Sequence, residues 1–328
     1  MANLYAATNG LSLWTSSDNG DTINRMPTST GLYSGAWVWG LAAHPTNPNE
    51  LLVGTNFGVY KYDQKTKKMN LLNLPMENGL QMVTACAYHP SNPDIIVVGT
   101  QPGQLFRTAD GGKTWTNVGA AISKYAERYY EGHWTRVTCV IFDPKDGNHC
   151  WAGVEIDGVW HSSDAGLTWT RVAKDGIPPD IHGFGITHIG GERRLFAATN
   201  KGAFLTVDNG NNWEIKPLDS KYHFIRSVVA RPDGSGVMFE CDGDGPPGTI
   251  GELHRSRDHG KTWEKVELPG TLESSMYFVA VHPSDPKLVF AACNLGQLFR
   301  STDGGETWTA LKRRLPEIRA LAWLPDAA

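Results

Sequence analysis

Ionisable and aromatic side chains recur at one position of a repeated apolar segment in this 328-residue chain. Aligning the segments places these residues in register: Trp39, Thr84, Thr138, His182, Arg226, Tyr277 and Arg319. Two residues earlier lie Trp37, Met82, Arg136, Asp180, Phe224, Ser275 and Glu317. A guanidinium grips a carboxylate or phosphate through two parallel hydrogen bonds. If these segments converge, the pattern predicts a mouth that binds a small anion through Arg136, Arg226 and Arg319. The competing interpretation is that the arginines pair with Glu317, Asp180 or carbonyl groups and only stiffen the structure.

Two acids interrupt a second series of aligned positions, which is otherwise made of amides. The series is Asn9, Asn56, Gln101, Glu155, Asn200, Asp242 and Asn294. Asparagine before glycine is typical of turns, because it tolerates the left-handed conformation. An acid is a poor substitute for a turn amide. Glu155 and Asp242, with His182 and Tyr277, are therefore our candidate catalytic groups.

The same polar positions suggest two kinds of metal site. Carboxylate and amide oxygens would suit Ca²⁺ or Mg²⁺ at the central mouth. A Zn or Fe site would instead use His133, His182 and His223 with Glu155, although their spacing follows no ligand motif. Trp37, Trp39, His133, His223 and Glu317 complete the predicted substrate-binding set with the arginines.

A repeat determines how these residues are positioned. The pattern Ser/Thr-x-Asp-x-Gly-x-Thr-Trp occurs at Thr108–Trp115, Ser162–Trp169, Ser256–Trp263 and Ser301–Trp308. Weaker copies centre on Asp18, Asp208 and Asp63, so the seven aspartates are 44 to 54 residues apart. Each unit contains four short apolar runs separated by Gly, Pro and Asn turns, which is typical of a propeller blade.

The chain ends predict how the ring closes. Leu4-Tyr-Ala-Ala-Thr8 matches a second strand, so the first unit lacks its own first strand. Ile318-Arg-Ala-Leu-Ala-Trp-Leu-Pro325 matches a spare first strand. We therefore predict an all-β fold, a single seven-bladed β-propeller over residues 1–328 with four-stranded antiparallel blades. Its C-terminal strand pairs with the N-terminal strands, which removes the open sheet edges.

The repeated motif resembles the Asp-box, or BNR repeat, of sialidases, sortilin-type receptors, xyloglucan-degrading hydrolases and photosystem-II assembly factors. The resemblance covers nearly the whole chain and implies a propeller fold, not one function. The motif aspartate is expected to accept hydrogen bonds within its turn, and the tryptophan to pack beneath it. Asp110, Asp164, Asp258 and Asp303 are therefore structural in this interpretation.

Both insertions fall on the face where the innermost strands begin, which we call the top face. One is the inter-blade loop 119–135, and the other is the loop 242–251. Functional residues often lie on loops, and an insertion near a site can extend such a loop. The alternative explanation is neutral drift in surface loops that tolerate insertions.

Composition restricts the choice of partner and compartment. The net charge of −4 gives no reason to expect nucleic acid or a membrane surface as a partner. Five cysteines with wide spacing indicate reduced core thiols. The N-terminus has no apolar secretion segment, and we therefore expect a cytoplasmic protein.

Two function hypotheses remain, with a third of lesser weight. The concentration of titratable groups favours a cytosolic hydrolase or lyase acting on a small anionic molecule at the top mouth. The alternative is a non-catalytic scaffold or assembly factor that binds a protein or peptide there, with Tyr125, Tyr129, Tyr130 and Trp134 as aromatic anchors. The third is a sialidase-type glycosidase, with Tyr277 as nucleophile and the three arginines holding a carboxylate. Sialidases have an Arg-Ile-Pro element and six blades, and this sequence matches neither feature.

Overall fold

The computed structural model describes residues 1–76, 81–122, 134–172, 176–216, 218 and 220–326. Apart from one short 3-10 helix, Thr28–Thr30, the regular elements in these ranges are all β-strands. Within these ranges, no helix has the length and apolar character needed to cross a bilayer.

The strands form seven four-stranded antiparallel sheets, the blades. Blade 1 contains β1 (Ala2–Thr8), β2 (Leu13–Ser16) and β3 (Asn24–Arg25). Blade 2 contains β4 (Val38–Ala43), β5 (Glu50–Thr55), β6 (Gly58–Asp63) and β7 (Lys68–Leu71). Blade 3 contains β8 (Met82–Tyr88), β9 (Ile96–Gln101), β10 (Leu105–Thr108) and β11 (Thr116–Asn117). Blade 4 contains β12 (Val137–Phe142), β13 (Cys150–Val154), β14 (Gly158–Ser162) and β15 (Thr170–Val172).

The remaining blades repeat this order. Blade 5 contains β16 (Ile181–Ile189), β17 (Glu192–Thr199), β18 (Gly202–Thr206) and β19 (Glu214–Lys216). Blade 6 contains β20 (Phe224–Ala230), β21 (Met238–Gly243), β22 (Gly251–Ser256) and β23 (Glu264–Lys265). Blade 7 contains β24 (Met276–Ala280), β25 (Val289–Cys293), β26 (Leu298–Ser301) and β27 (Thr309–Ala310). The last strand, β28 (Ile318–Pro325), returns to blade 1.

Ring closure follows the predicted pairing. β28 lies against β1 in an antiparallel ladder that runs from the pair Ala2–Pro325 to the pair Ala7–Ala320. Blade 1 therefore takes its innermost strand from the C-terminus and its other three from the N-terminus. The predicted seven-bladed propeller is confirmed.

Neighbouring blades pack face to face, so the second strands are buried on both sides. β13 and β25 are buried along their whole length. Close approach needs small residues at the contacts: a Cβ on Gly99 of β9 would lie 2.3 Å from a methyl carbon of Val137 in the next blade. Glycine at such positions lets the blades share one continuous core around the axis.

The Asp-box turns have the structural role that the sequence predicts. In blade 3, Asp110 Oδ1 accepts hydrogen bonds from the Thr114 amide (2.9 Å) and the Thr108 hydroxyl (2.7 Å), and Oδ2 accepts one from the Thr114 hydroxyl (2.6 Å). Trp115 donates its indole hydrogen to the carbonyl of Gly112 at 3.2 Å. The copies at Asp164 and Asp303 make the same contacts with their own threonines.

The closing strand provides a first test of the fold. Trp323 of β28 is almost fully buried in a core shared by blades 7 and 1. We expect Trp323→Ala to lower the free energy of unfolding by about 3–5 kcal/mol, because it removes a large buried aromatic ring. Chemical denaturation would measure the change. Trp134→Ala, at an exposed tryptophan, is the control, and equal losses in the two variants would contradict this packing.

The Asp-boxes predict acid sensitivity. Burial alone would raise the pKa of Asp303, but hydrogen bonds from Thr307 and Ser301 outweigh it and lower the pKa to about 2. A carboxylate with a depressed folded-state pKa stabilises the fold above its unfolded value of about 4, and that contribution is lost as pH falls toward 2. Asp303→Asn should be less stable than wild type at pH 7 but lose less stability between pH 5 and pH 2. Urea midpoints across this range would test it, with exposed Glu267→Gln as control; an unchanged acid response in Asp303→Asn would refute it.

Candidate functional site

A β-bulge lies at the same place in the innermost strand of every blade. In each ladder one residue of this strand is skipped by the pairing, as Trp39 is between Val38 and Gly40. The skipped residues are Trp39, Thr84, Thr138, His182, Arg226, Tyr277 and Arg319. These are the seven residues that the sequence aligns. Because a bulge re-aims the side chain of its extra residue, the bulges explain why this set differs from its strand neighbours.

Three bulge side chains connect successive blades around the axis. Thr84 donates to the carbonyl of Val137 (2.7 Å), and Thr138 donates to that of Ile181 (2.6 Å). His182 Nδ1 lies 2.6 Å from the carbonyl oxygen of Ile225, so Nδ1 is the nitrogen that carries a hydrogen. Each acceptor directly precedes the bulge residue of the next blade, so blades 3 to 6 are tied by the same contact.

A cavity of about 370 Å³ opens at the top of the ring. Its lining includes six of the predicted site residues, Arg136, Glu155, His182, Arg226, Tyr277 and Arg319. A second cavity of about 290 Å³ continues into the channel and also contacts Arg136, His182, Arg226 and Arg319. Four cationic or imidazole side chains therefore lie between the mouth and the channel.

Two of the three arginines at the mouth are paired with acids. Arg136 binds Glu155 in a bidentate ion pair, with Nε–Oε2 at 2.7 Å and Nη2–Oε1 at 3.0 Å. Arg319 forms an ion pair with Glu317, which also accepts a hydrogen bond from Asn9. For these two arginines, the interpretation that they pair internally is the one the structure bears out.

Arg226 is different from the other two arginines. Its guanidinium carbon lies 5.0 Å from the ring centroid of Tyr277, in cation–π contact. Within the described part of the chain, no acid lies in ion-pair distance of it. Burial, and then repulsion by Arg136, lowers the pKa of Arg226, but an arginine remains charged at neutral pH. The mouth thus contains a desolvated cation whose charge is only partly compensated.

Two groups at the mouth, Asp180 and Tyr277, have shifted pKa values. Burial alone would raise the pKa of Asp180, but contact with His182 and the charges of Arg226 and Arg136 outweigh it and lower the pKa. His182 Nε2 lies 3.3 Å from Asp180 Oδ1. Burial raises the pKa of Tyr277 despite the opposing charge of Arg226, so the phenol is neutral.

Comparison with known families decides the membership of the chain. Residues 61–244 match the family model described as photosynthesis system II assembly factor YCF48, and residues 254–265 and 299–310 match the BNR/Asp-box repeat. The chain belongs to the YCF48 family. The predicted resemblance to Asp-box propellers is thereby confirmed.

Relatives of this family member include hydrolases as well as assembly factors. A probable oligoxyloglucan-reducing end-specific xyloglucanase of Neosartorya fischeri is 26% identical over 207 residues, which are 58% of this chain and 25% of that protein. The chain thus spans about a quarter of the length of that relative. A GH74 xyloglucanase structure from Xanthomonas campestris aligns with a TM-score of 0.68, at 17% identity, over 97% of this chain and 52% of its own. A structure of YCF48 bound to a D1 peptide aligns at 0.55, with 14% identity, over 84% of this chain and 82% of its own. At these identities the two structures establish the fold alone.

The other predicted site residues do not line the cavity at the mouth. Trp37 is exposed on the top face, and its amide donates to Asn56 Oδ1 at 2.9 Å. Trp39 lines the channel, where the guanidinium carbons of Arg136 and Arg319 lie 5.1 and 4.5 Å from its ring. His223 is exposed. His133, Tyr125, Tyr129 and Tyr130 lie outside the described residues.

Asp242 does not line the mouth cavity, whereas the sequence placed it there with Glu155. The insertion in blade 6 extends the β21–β22 ladder, in which Asp242 pairs with Glu252. Glu155, by contrast, follows the end of β13. Asp242 is therefore fully buried within the blade, with Oδ2 3.4 Å from His254 Nδ1. Glu252 and His254 were missed by sequence reasoning, although alternating ionisable residues on two paired buried strands are a detectable signal. A Ca²⁺ or Mg²⁺ ion at the central mouth stays a prediction.

The unequal pairing of the arginines leads to a stability test. Arg226→Met removes a desolvated cation with no acid partner among the described residues, so its free energy of unfolding should equal or exceed that of wild type. Arg136→Met leaves Glu155 without its bidentate partner and should cost about 1–3 kcal/mol. Chemical denaturation of both variants would measure the difference, since methionine fills similar volume in each. A loss in Arg226→Met as large as in Arg136→Met would show that Arg226 is structural.

Proposed function

We propose that this protein is a non-catalytic docking factor that binds an extended segment of a partner protein across the top face. The C-terminal carboxylate of that segment is bound by Arg226. The observation that carries the proposal is the pairing of charges at the mouth: Arg136 and Arg319 are paired with acids, whereas Arg226 is stacked on Tyr277 and has no acid partner among the described residues. A guanidinium that is pre-positioned and partly desolvated binds a carboxylate at little cost in ordering.

Exposed aromatic residues on the same face support a protein partner. Tyr33, Trp37, Phe57 and Trp134 are all exposed. The rings of Tyr33 and Phe57 are in edge contact, with centroids 5.8 Å apart. Trp134 also lines the mouth. Aromatic side chains around a polar centre are the usual anchors of a peptide or protein interface.

Family membership is consistent with this proposal. The family is described as an assembly factor, and one structural neighbour is a YCF48 bound to a D1 peptide. The peptide is a property of that neighbour, and we carry over only the class of ligand. The partner of this chain is a protein segment with a free carboxylate.

A hydrolase at the mouth, which the titratable groups and the xyloglucanase relatives favour, has weaker support. Glycoside hydrolysis needs a protonated acid with a raised pKa near a second carboxylate. Glu155 is bound to Arg136 through both oxygens, and the pKa of Asp180 is lowered. A sialidase-type mechanism would need an activated Tyr277, whose pKa is raised by burial. A small anion bound without turnover remains an alternative occupant of the same site.

A peptide array distinguishes these occupants. The purified protein would be probed with hexapeptides that end either in a free carboxylate or in an amide, and hits would be measured by fluorescence anisotropy. We expect the free acids to bind at least about tenfold more tightly, and Arg226→Gln to abolish that preference. Arg257→Gln is the matched control, because it removes the same charge from an Asp-box turn on the opposite face.

Other outcomes would count against docking. No peptide binding, or carboxylate preference that survives in Arg226→Gln, would overturn the proposal. Turnover of xyloglucan oligosaccharides that is lost in Glu155→Gln would establish the hydrolase instead.

A further inference from the structure

Blade 6 contains a second cluster of ionisable residues, away from the mouth. Asp242 and Glu252 are paired across the β21–β22 ladder, and so are Glu240 and His254. Paired residues, and residues two apart in one strand, lie on the same face of a sheet. All four side chains therefore share one face of this hairpin. All three of the following residues are buried, with exposed fractions of 0%, 1% and 2%: Asp242, Glu240 and His254.

The donor atoms of this cluster lie close together. His254 Nδ1 is 3.4 Å from Asp242 Oδ2, and His254 Nε2 is 3.7 Å from Glu252 Oε2. One donor atom from each of the three residues lies within 4.8 Å of the other two. Ligands about 2.0 Å from a tetrahedral ion are about 3.3 Å apart, so small side-chain rotations bring the three donors to bonding positions.

Two buried carboxylate oxygens accept no hydrogen bond from the described residues. Asp242 Oδ1 accepts a hydrogen bond from the Glu252 amide at 2.9 Å, but Asp242 Oδ2 has no hydrogen-bond partner among the described residues. The same is true of Glu240 Oε1 within those ranges. A buried polar atom without a partner is costly, and a buried charge without a counter-charge is more so. These orphan oxygens require either protons or a cation.

The nearest cation does not meet this need. Lys265 Nζ binds Glu252 Oε1 at 2.8 Å and lies at the exposed edge of the cluster. Among the described residues, no lysine or arginine is in ion-pair contact with Asp242 or Glu240.

We propose that Asp242, Glu252 and His254 bind one divalent transition-metal ion, of the Zn²⁺ class, inside blade 6. One imidazole and two carboxylates suit such an ion better than Ca²⁺ or Mg²⁺, which prefer all-oxygen sites. Asp242 Oδ2 is the buried acceptor directed at the cluster, and the ion takes the place of its missing partner. The site is independent of the docking function proposed for the mouth.

The position of this site gives the ion a structural role. Asp242 and Glu252 flank the loop 243–251, and Pro246 of this loop lines the cavity at the mouth. An ion bound at the base of the loop joins its two ends. Binding of the ion therefore fixes one wall of the docking cavity.

Isothermal titration of the chelator-treated protein with Zn²⁺ tests the proposal. We expect one ion per chain, a higher melting temperature, and no comparable effect of Mg²⁺ or Ca²⁺. Asp242→Asn, Glu252→Gln and His254→Gln should each weaken Zn²⁺ binding at least about tenfold. The matched control is His149→Gln, because His149 lies outside the cluster and is paired with His161, their ring nitrogens being 2.9 Å apart.

Some results would overturn the site. Absence of stoichiometric Zn²⁺ binding would do so, as would binding that is lost in His149→Gln but kept in the three cluster variants. If the buried variants do not fold, X-ray absorption of the Zn²⁺-loaded wild-type protein remains decisive. One imidazole in the first coordination sphere supports the assignment, and two imidazoles contradict it.

Discussion

The ladder between β1 and β28 is the constraint on which the site depends. It joins the two ends of the chain, and contacts from the neighbouring blade reinforce it: Gln64 of blade 2 donates to the carbonyl of Pro325 at 2.9 Å. Arg319 and Glu317 lie at the start of this closing strand, whereas Arg136 and Arg226 come from blades 4 and 6. Residues so far apart in sequence meet because closure places all seven inner strands around one axis.

The repeated bulge has two uses around the ring. In blades 3, 4 and 5 the bulge residue donates a hydrogen bond to the next blade and so holds the ring together. In blades 6, 7 and 1 the same position holds Arg226, Tyr277 and Arg319; Arg226 is in cation–π contact with Tyr277, and Arg319 forms an ion pair with Glu317. The bulge position therefore makes hydrogen bonds between blades on one side of the ring and carries arginine and tyrosine side chains on the other.

Periodicity and the unmatched strands at the chain ends were sufficient to predict the propeller and its closure, because the Asp-box turn and the four-run unit are local features. The aligned bulge positions were also predictable, since each repeat keeps the same register. A local sequence pattern does not show which acid each arginine pairs with. The pairing of Arg136 with Glu155 depends on two strands of one blade, and Asp242 enters the blade interior because the insertion lengthens its ladder by two residue pairs beyond the turn expected from the other blades.

The acids of this chain fall into two groups, one at the mouth and one inside blade 6. At the mouth, Glu155 and Glu317 are in ion pairs with arginines, and contact with His182 and the nearby arginine charges lower the pKa of Asp180 despite its burial. The acids with raised pKa values, Asp242 and Glu240, are enclosed within blade 6 where no substrate of the central cavity contacts them. Acid catalysis needs a proton donor at the reacting bond, whereas docking needs only a fixed surface and a cation able to exchange its weak contacts for a stronger one. Arg226 contributes charge without an acid partner in the described structure, and this environment is the basis of the docking role that we propose.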